Sequence, residues 1–150
     1  MTPAEPATSH ASAAASLLRH DLITPINHIL GFCELLIDDA EEKGRIYRGQ
    51  SLRSIRAYGK QALGAVDRAV AHAVDSGRPA DLSTLARALH APTAAISEAC
   101  DALEETSRAV PDRVVFLDDL AKIRQAAARL VIMAGQMSAT STATPGRSSA

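Results

Sequence analysis

The sequence predicts an all-α protein, a four-helix bundle made of two consecutive helical hairpins on one chain. Three observations carry that reading. The chain is 47% hydrophobic but only 3% aromatic, with no tryptophan. Alanine and leucine therefore supply most of the apolar mass, which suits closely packed helices better than a β-sandwich. Apolar residues recur at steps of three and four along four segments, the period of one helix face. The second pair of segments also repeats the first in register, as expected of a duplicated unit.

Taken in order, the spacing predicts a first helix from about Ser12 to Glu42, with Leu18, Leu22, Pro25, Ile29, Phe32 and Leu36 in one apolar stripe. A second helix runs from about Gln50 to Asp75, with Leu52, Ile55, Gly59, Ala62, Val66 and Val70 inward. Ser76, Gly77, Arg78 and Pro79 then break the chain, since glycine ends helices readily and proline cannot continue them. A third helix starts near Asp81, a suitable N-cap, and turns Leu85, Leu89, Pro92, Ile96, Ala99 and Leu103 inward. The fourth follows Pro111 and Asp112 and carries Leu117, Leu120, Ile123, Ala127, Leu130 and Ala134. Residues 12–77 thus form a first hairpin and 80–137 a second. Residues 1–11 and 138–150 are rich in Ser, Thr, Ala and Pro and are expected to be flexible, the first turning helical toward Ala15. A tail of that composition often joins domains, so the chain is compatible with being a fragment of a larger protein.

The repeat has a constant offset. Leu18, Leu22, Pro25, Ile29, Cys33 and Leu36 match Leu85, Leu89, Pro92, Ile96, Cys100 and Leu103, and Glu34 matches Asp101. Leu52, Ile55 and Arg56 likewise fall on Leu120, Ile123 and Arg124. Leucines coincide easily in helical sequences; a mid-helix proline and a cysteine in the same register do not. One hairpin leaves too much apolar surface exposed to be stable alone. Two on one chain predict an intramolecular bundle with approximate twofold symmetry, and hence a monomer.

Charge and composition exclude several functions. With 16 basic and 17 acidic residues and a net charge of −1, there is no polyanion-binding face, so nucleic acid is not an expected partner. No apolar run approaches the ~20 residues needed to cross a bilayer, and the N-terminus lacks the basic-then-apolar order of a signal peptide. No membrane association is expected, and a cytoplasmic location is. Cys33 and Cys100 lack metal-ligand spacing and read as small buried hydrophobes in a reducing compartment.

The chemistry concentrates in one stretch, Arg19 to His28. His20 lies two residues after Leu18 and two before Leu22, which turns it off the buried stripe; Thr24, Asn27 and Gly31 continue its ridge at helical spacing. That face offers an imidazole, a hydroxyl, an amide and then bare backbone. Imidazole titrates near neutrality, and its neutral form is a nucleophile that can accept a phosphoryl group and release it from a labile P–N bond. An adjacent carboxylate such as Asp21 can hold the other ring nitrogen or take its proton. Pro25 lacks an N–H and crowds the carbonyl of Asp21, so a kink beside the histidine is expected, giving a partner room to approach. An isolated His-Asp pair on a helix is usually plain surface, and a lone proline usually ends a helix. The combination of His20, Asp21, Thr24 and Pro25 ahead of the GFCELL stripe is more specific.

That combination resembles the H-box of two-component histidine kinases, in their dimerisation and histidine-phosphotransfer domain. LRHDLITPINHILGFCELL follows the family's order of histidine, acid, apolar residue, Thr or Asn, proline and an Ile-Leu-Gly segment. DLAKIRQAAARLVIMAG, and more weakly SLRSIRAYGKQALGAV, look like the family's second helix. The resemblance implies that His20 is the phosphoacceptor, Asp21 its general base, and Thr24 the residue that orients water when a response regulator is dephosphorylated. It implies bending at Pro25 and phosphate neutralisation by Arg19. The partner-binding surface it implies includes Asn27 and the second helix near Ser51 to Tyr58, with Arg56. The expected partner is a response-regulator receiver domain that brings its own Mg²⁺; this chain needs no cofactor. A histidine kinase, or its ATP-binding domain in trans, is a further possible partner. Nothing in the chain resembles that ATP-binding domain, so autophosphorylation is not expected. In the second copy Arg87 stands for the histidine, Ala88 for the acid and Ala91 for the threonine.

Among the other histidines, His90 is two residues before its proline, not five, and is expected on a different face. His28 is expected at the bundle boundary and His72 on the surface, while His10 carries no assignment. Two other readings remain open: a non-catalytic receiver- or kinase-binding assembly module, and the dimerisation fragment of a larger kinase, against which the duplication argues.

Overall fold

The computed structural model describes residues 4–143 of the chain, with side chains described for residues 10–140. Four helices follow in order: α1 (Ala4–Glu42), α2 (Ile46–Ser76), α3 (Leu82–Ser107) and α4 (Arg113–Ala143). They pack as a bundle. α1 contacts α2 and α4, and α3 contacts α2 and α4, so α1 and α3 lie diagonally across the core. The all-α, two-hairpin architecture expected from the spacing is the one observed.

Three boundaries differ from expectation, each for a packing reason. α1 starts at Ala4 and not near Ser12, in a stretch rich in alanine, the best helix former, whose stripe continues upstream through buried Ala11 and Ala15. α2 begins at Ile46, ahead of Gln50, because Arg48 and Gly49 are already buried in its first turn. α4 runs past Met137, which is itself buried, to Ala143. The flexible ends expected from composition therefore overlap helix at residues 4–11 and 138–143; residues 1–3 and 144–150 lie outside the described part.

The connections follow local chemistry. Gly44 and Gly77 adopt φ of 68° and 66°, the left-handed region that only glycine enters without cost. Gly77 ends α2 with its N–H on the Val74 carbonyl. Asp81 caps α3 as expected, accepting from the Thr84 N–H at 3.1 Å and its hydroxyl at 2.8 Å.

One core runs through all four helices, including Leu22, Ile29, Leu52, Ile55, Leu89, Ile96, Leu120 and Ile123. The duplication is visible in its ion pairs. Arg56 reaches Glu34 at 3.1 Å across α2 and α1, and its repeat equivalent Arg124 pairs with Asp101, the equivalent of Glu34. Arg124 adds Glu104 at 2.7 Å. The symmetry breaks near the loop end. Phe116 occupies in α4 the position of Arg48 in α2, and the two meet, with the guanidinium carbon 3.7 Å from the ring centroid. They are 4% and 3% exposed, so the bundle is closed there by an unlike pair.

Candidate functional site

His20, Thr24, Asn27 and Gly31 are all exposed, while Leu22, Pro25, Ile26 and Ile29 between them are buried. The core contacts of α1 thus fix its rotation and hold the ridge outward. The expected face of imidazole, hydroxyl, amide and bare backbone is present, and a Cβ built on Gly31 meets nothing within 4 Å. Leu17, one turn before His20, is 63% exposed and extends the ridge with an apolar side chain.

The neighbours of His20 are arranged less simply. Asp21 is exposed, and among the described residues it makes no hydrogen bond or ion pair, to the His20 ring or elsewhere. Successive helical residues point about 100° apart, so contact between the two needs a rotamer change. The Thr24 hydroxyl donates to the His20 carbonyl at 3.1 Å, the back-bonding common for threonine inside a helix. Pro25 is buried and α1 is continuous through it. Packing holds the ring inward; Pro92 is likewise inside α3, where the Thr93 hydroxyl donates to the carbonyls of Leu89 and His90 at 2.7 and 3.0 Å.

Arg19 is not free beside the histidine: its Nε donates to Asp67 at 2.8 Å. Both side chains are more than two-fifths exposed, and a surface pair of this kind contributes about 0–1 kcal/mol, so an incoming anion can displace it. The same bond shows which residues of the two helices are level. The part of α2 level with His20 is around Asp67, not Ser51 to Tyr58. Arg56 is level with Glu34, about four turns or roughly 20 Å further along α1. The sequence reading thus placed the α2 half of the surface too far from His20, because helical period carries no information about register between helices. Asp67 was missed for the same reason; Leu17 lies on α1 itself, and its spacing of three residues before His20 was the signal that sets it on the exposed ridge.

His28 is exposed, not at the bundle boundary, and His72 is exposed as expected. His90 is exposed and lines a groove of about 230 Å³ between α3 and α4, with Ala86 and Gly135. Those two residues are the repeat equivalents of Arg19 and Asp67: where the first hairpin has an ion pair, the second has an opening. Arg87, Ala88 and Ala91 are all exposed at the positions equivalent to the motif. A second groove, about 330 Å³, lies beside Asp21 and Leu17 against Pro79, Ala80 and Leu82.

Cys33 and Cys100 are unpaired and buried. Burial, the largest cause, pushes their thiols up to about 12 and about 11, so neither is a nucleophile near neutral pH. Among the described residues no helix is long and apolar enough to cross a membrane. No protein-family model, curated protein or solved structure matches the chain.

Proposed function

We propose that this chain is a histidine-phosphotransfer module of a two-component signalling system, exchanging a phosphoryl group between His20 and the phosphorylated aspartate of a receiver domain. The observation that carries the reading is the outward ridge of His20, Thr24, Asn27 and Gly31 on one hairpin, beside an equivalent ridge in which Arg87, Ala88 and Ala91 lack the reactive groups. The second hairpin then serves to complete the core that holds the first in position.

In the accepting direction, the lone-pair nitrogen of the neutral imidazole attacks phosphorus while the bond to the receiver's carboxylate oxygen breaks. The aspartate leaves as a carboxylate, and the proton on the other ring nitrogen passes to water or to Asp21. Receiver domains hold their own Mg²⁺, which neutralises the transferring group, so the module contributes the nucleophile and a docking face. Leu17 and the groove beside Asp21 supply apolar contact on that face, and Arg19, once released from Asp67, supplies charge. Thr24 is the group available to orient water for hydrolysis of the receiver's phosphoaspartate, a separate reaction that releases inorganic phosphate and leaves the carboxylate.

Incubation with a receiver domain phosphorylated at its aspartate should label the wild-type chain with acid-labile phosphate and leave His20→Ala unlabelled. Asp21→Asn should label at least about tenfold more slowly. Equal labelling of wild type and His20→Ala would remove His20 as the acceptor. Receiver binding that persists in both without any transfer would instead favour an assembly module. Sedimentation should give a monomer.

A further inference from the structure

We infer that the loop end of the bundle, opposite His20, carries a binding site for a phosphate group, formed by Arg45, Ser107 and the uncapped first turn of α2. A groove of about 210 Å³ lies there, walled on one side by residues 44–48 and on the other by Thr106, Ser107 and Val110. It joins the two hairpin connections.

Four observations converge on this groove. The N-cap of α2 is Arg45, and no side chain caps that helix end. The N–H groups of Tyr47 and Arg48 therefore have no acceptor among the described residues, and a helix N-terminus with free N–H groups favours an anion. Ser107 is 2% exposed and lines the groove, and its hydroxyl makes no hydrogen bond among the described residues. It is therefore a donor and acceptor that the groove can use. The Nε of Arg45 is buried without a partner, and a buried donor left unpaired is costly.

The charge balance points the same way. Asp112 is the carboxylate shared by this cluster, and it is already occupied: Arg48 donates to it through both terminal nitrogens at 3.0 and 3.3 Å, and Lys43 at 3.0 Å. Arg45 stands off at 3.7 Å. Lys43 shares Asp39 at 3.2 Å, but three cations around Asp112 leave an excess of positive charge beside the groove. A guanidinium N–H, a hydroxyl and backbone N–H groups arriving from different directions suit a tetrahedral oxyanion, which can accept from all of them, better than a planar carboxylate.

The test is an amide-resolved NMR titration of the full chain at constant ionic strength, with inorganic phosphate, glycerol phosphate and acetate in separate arms. Saturable shifts of the Tyr47, Arg48 and Ser107 amides with either phosphate, and not with acetate, are expected; the tighter of the two identifies free phosphate or a phosphomonoester as the source. Ser107→Ala and Arg45→Gln should each weaken binding at least tenfold while the remaining cross-peaks stay in place, and His20→Ala should bind as wild type. Non-saturating shifts, equal shifts with acetate, or unchanged affinity in both groove variants would overturn the site. Because His20→Ala leaves it intact, its failure is separable from failure of the phosphotransfer reading.

Discussion

At the scale of single residues, what singles out His20 is its setting. A helical imidazole is unremarkable chemically; this one is followed at helical steps by a hydroxyl, an amide and a glycine, all facing water. Gly31 is the informative position. Glycine in mid-helix costs about 0.5–1 kcal/mol relative to alanine, and nothing crowds a Cβ there. Gly31→Ala should therefore raise thermal stability by about that amount. If a partner lies along the ridge, the same substitution should slow phosphotransfer while leaving His20 in place, a split between melting and transfer assays that a merely surface glycine would not show. Asp112 gives a second residue-scale test. Hydrogen bonds from Arg48 first, then from Lys43, hold its carboxyl down at about 2 against an ordinary 3.8, with burial opposing. A folded-state value below the unfolded one means the contribution is complete above the ordinary value and is lost as the pH falls through about 4 to about 2. The contribution is about 1–2 kcal/mol, so wild type should lose more stability over that window than Asp112→Asn in chemical unfolding followed by circular dichroism. The exposed ridge was readable in the sequence because spacing alone decides which helical residues face out. Asp112 with its cations was not, because those contacts join residues far apart in the chain at two loops whose shape no period encodes.

At the scale of elements, type and order were readable and the ends less so. Long stretches with apolar residues at three- and four-residue steps leave little choice of structure, so all four helices appear where the spacing put them. Ends depend on weaker signals. The α3 start was readable because Asp81 is a strong N-cap. The α2 start was not, because α2 begins without a side-chain cap and with Arg48 buried over Phe116, a position that charge patterning assigns to solvent. The prolines show packing overriding propensity: Pro25 and Pro92 are both inside unbroken helices, with their rings in the core. The cap supports an element-scale prediction. The Thr84 N–H and hydroxyl hold the Asp81 carboxyl below its ordinary range, so its contribution is present above that range and falls away in acid. Asp81→Ala should lower the melting temperature by a few degrees at pH 7, with hydrogen exchange quickening first in Leu82 to Leu85. At a pH low enough to protonate the wild-type carboxyl, the two proteins should converge.

At the scale of the whole molecule, the question is whether two similar hairpins behave as one cooperative unit. The core argues that they do: the largest buried side chains come from all four helices, and each helix packs on one partner in its own hairpin and one in the other. The unlike Arg48–Phe116 pair strengthens this, since it exists only when the two halves associate in one arrangement. The cysteines supply a probe for each half, Cys33 in the first hairpin and Cys100 in the second, both buried and both with thiols raised far above neutrality by burial. A thiol reagent at neutral pH should thus modify each only when the structure opens. If opening is global, both should react at the same rate. Leu89 in the second hairpin is fully buried, and Leu89→Ala should cost about 2–4 kcal/mol. It should accelerate labelling of Cys33 and Cys100 by the same factor, although Cys33 lies in the other hairpin. Faster labelling confined to Cys100 would mean that the hairpins open independently, and then the second half could not be what holds the His20 ridge in place.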